Sequence, residues 1–327
     1  MQNSIHKSLP FLLDQLVKVS KKRNYKYNII DRNLIQIVYG DKSFFAGANS
    51  DIGINPINAH FAAEIANDKA RCLSILKNGG FSVPEGEFFF IGNSYTENGR
   101  GREDAIRYAQ KTGFPIFVKP NSSRSGNCAQ IIYSTDELIK IMEKISKIDP
   151  IFLIQKIINL PEYRVVVLDG DFQYFYKKAT PQITGDGIKN IKELIEEFNY
   201  NIGKNVINQD SNFIKLQLKQ KKLSKNSILN KGMTLKVSAI SNLWMSGKPV
   251  DYSETISDAT QKWLKEISRC LNLRLMGLDI FVEDSINNPE SLIVLEVNHN
   301  PEHKGARQEK VEDIISRVCQ KYFTEYN

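Results

Sequence analysis

Two strongly apolar runs in the last fifth of the chain each enclose a single acid, and no other feature limits the fold as much. The first is Leu275-Met276-Gly277-Leu278-Asp279-Ile280-Phe281-Val282; the second is Leu292-Ile293-Val294-Leu295-Glu296-Val297-Asn298. Residues Glu283 to Ser291 between them are polar, so the whole reads as an antiparallel hairpin. A symmetric hairpin centred on that turn pairs Asp284 with Ser291 and, in the same register, sets Asp279 opposite Glu296. Side chains so placed have Cβ atoms about 4.5–5.5 Å apart, where like charges destabilise a sheet. A positive group between them is therefore expected. Asn298, two residues beyond Glu296, points to the same face. Two carboxylates and an amide oxygen make a set of hard donors that suits magnesium. Alternatively, both acids could lie on the wet face of a half-buried sheet; the nearly continuous apolar flanks of both strands oppose this.

Composition narrows the class. With 327 residues, 41% hydrophobic and 25% charged, the chain is long enough for two or three compact modules. Its net charge of +7 would suit nucleic acid, an anionic membrane or a phosphorylated small molecule. Much of the surplus lies in Lys18, Lys21, Lys22 and Arg23 and in the stretch Lys215 to Lys225. No aromatic residues are interleaved there as in RNA-binding modules, so no nucleic-acid partner is expected. Cys72, Cys128, Cys270 and Cys319 have no paired spacing that would suggest zinc or a redox couple. They fit a reduced, cytoplasmic setting. Neither a signal peptide nor an apolar run of membrane-spanning length is visible, and no membrane association is expected.

Along the chain, residues 1–66 read as a small leading module with a helix around Phe11 to Val19 and a strand pair around Tyr27 to Val38. A helix is expected from Asn67 or Asp68 to Lys77, stopped by Gly79-Gly80. Strands at Glu87 to Ile91, Phe114 to Lys119, Ile131 to Tyr133 and Ile151 to Lys156 alternate with helices at Glu103 to Thr112 and Asp136 to Ile148. The pattern is α+β with mixed sheets. Tyr163 to Ala179 reads as a hairpin with Asp169-Gly170 at its turn. If Leu168 faces Asp171, then Arg164 faces Phe175 and Glu162 faces Lys177. Thr184-Gly185-Asp186-Gly187 launches a helix carrying Ile188, Ile191, Leu194, Ile195 and Phe198. Residues 200–230 are polar and lysine-rich, Met233 to Leu243 reads as a strand, and Thr260 to Leu271 as a helix.

Lys119 ends an apolar strand and delivers an ammonium to the loop Asn121 to Asn127. Its small polar residues could offer backbone N–H groups to phosphate, although neither a Walker loop nor GxGxxG is present; an ordinary surface turn is the competing reading. Arg164 and the pair Lys177-Lys178 add positive charge on the next hairpin. His299 and His303 are four apart, but Pro301 between them disfavours the helix that would align them, so both read as loop residues near the substrate.

Taken in order, these segments resemble the ATP-grasp family, in the manner of the ATP-grasp module of cyanophycin synthetase and of bifunctional glutathione synthetases. The resemblance runs from Asn67 to Gly305. It rests on Asn67-Asp68-Lys69, Phe114 to Pro120, Glu162 to Val167 followed by Asp169-Gly170, and Thr184 to Gly187. It continues in Lys231-Gly232, Ser241-Asn242-Leu243, Gly277-Leu278-Asp279 and Glu296 to Pro301. It implies two α+β subdomains closing on ATP behind a leading domain: residues 1–66 as leader, 67–155 as the nucleotide lid and 156–327 as the metal and catalytic part. By the same resemblance Lys69 and Lys119 are nucleotide lysines, with Ser125 in the phosphate loop. Gln155, Lys156, Ile157 and Ile158 form the adenine hinge and Glu162 holds the ribose. Arg164 and Lys178, with Asn298, serve the phosphates and the acyl phosphate, and Asp279, Glu296 and Asn298 are the magnesium ligands. Gln155 stands where the family has Glu, the loop after Lys119 holds one Gly, and Glu302 replaces a Gly. Of the Asn-Leu-Ser-x-Gly-Gly motif, only Asn242, Leu243 and Gly247 are recognisable.

The implied activity is that of an ATP-dependent carboxylate–amine ligase working through an acyl phosphate, on an amino acid or short peptide, with magnesium or manganese. Small-molecule carboxylates and amines are the expected partners, with a homodimer left open and a stand-alone chain expected. The alternatives are a kinase of the same fold and a non-catalytic nucleotide- or RNA-binding protein.

Overall fold

The computed structural model describes residues 9–47, 56–91, 99–122, 127–203, 207–238, 250–303 and 305–325. In chain order these form α1 (Phe11–Arg23), β1 (Lys26–Asp31), β2 (Leu34–Tyr39), β3 (Lys42–Gly47), α2 (His60–Asn67), α3 (Lys69–Asn78), β4 (Gly86–Phe90) and α4 (Arg102–Thr112). Next come β5 (Ile116–Pro120), β6 (Gln130–Ile132), α5 (Thr135–Ile145), β7 (Ile151–Lys156), β8 (Glu162–Leu168), β9 (Asp171–Lys177) and β10 (Gln182–Thr184). The remainder are α6 (Ile191–Ile202), α7 (Asn212–Gln220), β11 (Thr234–Lys236), β12 (Val250–Ser253), α8 (Asp258–Leu271), β13 (Leu275–Val282), β14 (Leu292–Asn298) and α9 (Gln308–Glu325). The class is α+β, with sheets ordered β1-β2-β3, β4-β7-β5-β6, β12-β9-β8-β13-β14 and β10-β11.

Two compact units arise, each discontinuous in sequence. The first holds residues 1–83, 163–177 and 251–327; the second holds 84–162 and 178–250.

In the first unit, one face of the five-stranded sheet is covered by α2, α3 and α8. Val165, Val167, Phe175, Met276, Leu278, Ile280, Val294 and Val297 meet Ala66, Leu76, Leu264 and Ile267 there. A second core joins α1 and β1–β3 to the C-terminal helix, where Leu13, Leu16, Ile35, Ile37 and Phe44 pack on Val311, Ile315, Cys319 and Phe323. The leading segment thus shares its core with α9. Arg274 ties the same helix to the β8–β9 turn through Asp169 (Nε to Oδ1, 2.6 Å) and Glu325 (Nη1 to Oε2, 2.7 Å).

Asn58 fastens the loop before α2 to the start of β13. Its Oδ1 accepts from the backbone N–H groups of Arg274 (2.8 Å) and Leu275 (3.0 Å). Its Nδ2 donates to the carbonyls of Leu275 (2.7 Å) and His299 (3.0 Å). Asn58→Ala strands two donors and two acceptors at once, and an expected loss of about 2–3 kcal/mol follows from the cost of unsatisfied polar groups. Urea unfolding with an unchanged m-value checks it.

In the second unit, α4 and α5 cover one face of β4-β7-β5-β6 through Ile116, Val118, Leu138, Met142, Phe152 and Ile154. Residues 178–250 build a separate small core from α6, α7, β10 and β11. α7 runs within the polar, lysine-rich stretch 200–230, with Ser211 as N-cap and only Ile214 and Leu218 buried. The helix expected from Ile188 begins instead at Ile191. Asp186 accepts from the N–H groups of Ile188 and Lys189 (both 2.8 Å), which makes a turn, and Asn190 and Glu193 then form a reciprocal capping box. Of the strand expected at Met233 to Leu243, Thr234–Lys236 is a strand; residues 239–243 lie outside the described residues.

Candidate active site

The sheet of the first unit offers its second face to a polar cluster, and a β-bulge decides which side chains reach it. Near the turn, Val282 pairs with Leu292, Phe281 with Ile293 and Ile280 with Val294; the ladder then shifts, and Asp279 pairs with Glu296 and Gly277 with Asn298. Leu295 is the extra residue. Burial along β14 follows the same break: Leu292, Val294 and Val297 are buried, with the phase of the alternation changing between residues 294 and 297. Without the bulge Glu296 would share the core face of Leu292 and Val294, because side chains alternate with period two. With it, Glu296 and Asn298 join Asp279 on the opposite face.

The β8–β9 hairpin has a similar irregularity. Its turn is as expected, with Leu168 opposite Asp171 and left-handed φ angles at Asp169 (53°) and Gly170 (78°). A bulge at Gln173 then moves the register by one residue, so Arg164 pairs with Tyr176 rather than Phe175, and Lys177 with Tyr163 rather than Glu162. Arg164 alternates with Val165 and Val167, which face the core, and so lies on the acid-bearing face. It grips Asp279 in two parallel hydrogen bonds, Nε to Oδ1 at 2.5 Å and Nη2 to Oδ2 at 3.0 Å. Both side chains are buried, 12% and 5% exposed. Burial alone would lower the guanidinium pKa, but Asp279 outweighs it and holds Arg164 charged, above the ordinary arginine range. Gly277 makes room: a Cβ there would lie 2.8 Å from Pro301 Cβ and 3.0 Å from Arg164 Nη1.

Lys69 is the second cation. It opens α3 behind its N-cap Asp68, whose carboxylate accepts from Arg71 N–H at 3.0 Å. Its ammonium lies 3.5 Å from Glu296 Oε1. The positive charge expected between the acids is thus supplied by two side chains, one on each carboxylate. Asn298 is different: its Nδ2 is buried with no hydrogen-bond partner. Amide oxygen and nitrogen are nearly interchangeable in shape, so this is a buried polar group suited to one further ligand. Carboxylate oxygens keep a second lone pair when one is engaged. Asp279, Glu296 and Asn298 therefore remain a hard-oxygen donor set of the kind magnesium takes.

His303, read from the sequence as a loop residue near the substrate, belongs to the same unit. It is buried, with Nδ1 2.9 Å from the hydroxyl of the fully buried Tyr174. Burial, aided by the charge of Arg164, pulls its pKa down to about 4. The unfolded chain, with an ordinary value of 6.5, therefore takes up the proton first as pH falls. Stability is complete above pH 6.5 and declines through that value towards pH 4, by about 3 kcal/mol in all. His303→Asn should remove this component from a pH series of thermal unfolding.

The second unit carries the other residues singled out by sequence. Lys119 and Gln155 are buried on the face of β5 and β7 that points away from α4 and α5, with Phe117 opposite Gln155 and Lys119 opposite Leu153. The chain after Lys119 is braced by Asp149, which accepts from Ser122 N–H at 2.6 Å. Ser125 lies outside the described residues, as do Asn242, Leu243 and Gly247. Lys156 ends β7, with its N–H donating to Glu85 O at 2.8 Å and its exposed ammonium 2.7 Å from the Glu85 carboxylate. Ile157 and Ile158 follow outside the strand. Glu162 and Lys178 are joined twice, by Lys178 N–H to Glu162 O at 2.8 Å and by a buried side-chain pair at 2.5 Å. Burial first and Glu296 second push the Cys72 thiol up to about 12. No helix among the described residues is long and apolar enough to cross a membrane.

The C-terminal domain model of D-Ala–D-Ala ligase matches residues 75–222. The chain is 27% identical over 251 residues to the glutathione biosynthesis bifunctional protein GshAB of Enterococcus faecalis, covering 72% of this chain and 32% of that protein. It is 26% identical over 302 residues to cyanophycin synthetase of Trichormus variabilis, covering 88% and 32%. It thus spans about a third of the length of these curated relatives. In fold it is similar to a bifunctional glutathione synthetase from Pasteurella multocida, with a TM-score of 0.55 and 18% identity over 97% of this chain and 44% of that one. A D-alanine–D-alanine ligase from Bacillus anthracis gives 0.50 and 18% over 83% and 72%. Family model, relatives and fold agree with the motifs read along the sequence: this chain is similar to the ATP-grasp ligases.

Proposed function

We propose that the chain is an ATP-dependent carboxylate–amine ligase that forms an amide or peptide bond through an acyl phosphate, on an amino acid or short peptide. The observation that carries this is the Asp279–Glu296 pair across β13 and β14, with Asn298 beside it and one cation on each acid. Asp279, Glu296 and Asn298 would hold magnesium, or manganese in its place, which supplies charge neutralisation at the phosphate oxygens during γ-phosphoryl transfer. The remaining work falls to positioned charge, since in-line phosphoryl transfer needs little covalent help. Arg164 suits this task because its two bonds to Asp279 fix the plane of the guanidinium and leave the remaining N–H donors to act. Lys69 is restrained at its helix start and Lys178 by Glu162. Lys69, Lys119, Ser125, the segment Gln155 to Ile158 and Glu162 would bind the nucleotide, as the family resemblance implies. The division at residues 67 and 156 into leader, lid and catalytic part belongs to the same reading, as do a cytoplasmic location and action on small molecules alone.

The test is a screen of amino acids and dipeptides with ATP and magnesium, read by mass spectrometry. A ligase releases ADP and phosphate in step with an amide product when acid and amine are both present. A phosphorylated product that accumulates without amine would identify a kinase instead.

A further inference from the structure

Positive charge is spread very unevenly over this chain. The whole carries +7, yet residues 207–238 hold seven lysines against one acid, Asp210, a balance of +6 on 32 residues. The other 295 residues together carry +1. On the adjoining α6 and the turn before it, lysines are neutralised locally: Lys189 pairs with Glu197 at 2.9 Å and Lys192 lies 3.9 Å from Glu196. In 207–238 only Lys225 is paired, with Asp210. Lys215, Lys219, Lys221, Lys222, Lys231 and Lys236 are exposed, and among the described residues none has a carboxylate within ion-pair distance. Such a concentration of like charge is self-repulsive, and local sequence does nothing to offset it.

Apolar side chains stand beside these lysines. The loops around Gly185 and Asn230 are bound together by Gly185 N–H to Met233 O (2.8 Å), Gly232 N–H to Gly185 O (2.9 Å) and Gly187 N–H to Leu229 O (3.2 Å). From this fixed platform Ile188, Ile228 and Met233 protrude, 78%, 55% and 38% exposed. Single exposed apolar residues are ordinary, but a group of them within a rim of charge marks an interaction surface.

We propose that residues 207–238, with the loop at Gly185 to Ile188, form a docking surface for an acidic polypeptide segment that carries apolar side chains among its carboxylates. Charge complementarity selects the acidic partner, and the protruding apolar residues give it something to bury. Nucleic acid is the poorer match. Residues 207–238 contain no arginine for bidentate phosphate contacts. Their one aromatic, Phe213, packs against the core of this unit, so no base-stacking platform is present in the segment. A membrane is also the poorer match, since interfacial binding needs a continuous apolar helix face. The inference does not depend on the chemistry proposed above, because docking is measured without nucleotide.

The experiment is fluorescence anisotropy with the full chain at low salt. The probes are a labelled 20-residue peptide of glutamate interspersed with leucine, its glutamine counterpart, a 20-nucleotide single-stranded RNA and phosphatidylserine vesicles. The glutamate peptide is expected to bind at least tenfold more tightly than the glutamine peptide and to weaken with added salt. Lys219→Glu with Lys221→Glu and Lys222→Glu should weaken it at least tenfold, and Ile228→Ser with Met233→Ser severalfold. Circular dichroism verifies folding. Should the triple variant unfold, Lys231→Glu with Lys236→Glu replaces it with the same expectation. Equal affinity for the two peptides, indifference to the substitutions, or tighter binding of RNA or vesicles than of the acidic peptide would each overturn the proposal.

Discussion

Glu296→Gln is expected to lower turnover in the proposed ligase reaction by about 10²–10³-fold while leaving the melting temperature within a few degrees of the parent. Glu296 is 29% exposed and its ion-pair contact is with Lys69 at 3.5 Å. Partly exposed pairs of that length contribute little to folding, about 0–1 kcal/mol. Glutamine keeps the shape and one oxygen but removes the charge from the donor set formed with Asp279 and Asn298. Loss of one preorganised electrostatic group at a phosphoryl-transfer site costs on the order of a few kcal/mol of transition-state stabilisation. The kinetic signature should therefore lie in kcat, with a higher demand for magnesium. The check is a magnesium titration of ADP release with both substrates present, run beside thermal unfolding. A variant with parental kcat would remove Glu296 from the chemistry, whatever happened to its stability.

The acid pair was legible in the sequence, but its register came out right through two offsets that cancel. A hairpin centred symmetrically on the turn pairs Asp284 with Ser291; in the structure Ser291 instead accepts from the N–H of Glu283, one residue earlier. The bulge at Leu295 restores the lost residue and returns Asp279 to Glu296. Nothing in Leu292-Ile293-Val294-Leu295 marks the bulge, because four consecutive apolar residues carry no alternation from which a phase could be read. The bulge at Gln173 was equally hidden within an aromatic strand, so there the expected partners of Arg164 and Glu162 came out one residue off.

Other features were hidden or missed for different reasons. The burial of His303 against Tyr174 depends on β9 and the loop after β14 meeting in space, which no local pattern encodes. The third strand of the leading sheet and α9 are another matter. Val311, Ile314, Ile315, Val318 and Cys319 recur at helical spacing and are all buried, a periodic signal that was available. The lysine-rich stretch 207–238 showed its charge at once, but that most of its lysines lack partners follows only from the structure.

Arg164→Met should produce the largest combined effect in the molecule. Methionine fills much of the arginine's volume with apolar atoms, so the change chiefly removes charge and leaves the Asp279 carboxylate buried without its two hydrogen bonds. Breaking a buried pair from one side costs about 3–5 kcal/mol, because the remaining charge is uncompensated. Turnover should fall below detection in the same variant, as both the guanidinium and the orientation of Asp279 are lost. Arg164→Lys restores a charge but not the planar fork, and should recover part of the stability with little of the rate. The informative variant is the double one, Arg164→Met with Asp279→Leu. Replacing both partners of a buried ion pair by apolar residues is often neutral or stabilising, so stability should return to near the parental value while activity stays absent. Urea unfolding of the single and double variants separates the two roles. If Arg164→Met alone is as stable as the parent, the pair does not carry the buried charge attributed to it; if the double variant is active, neither side chain belongs to the chemistry.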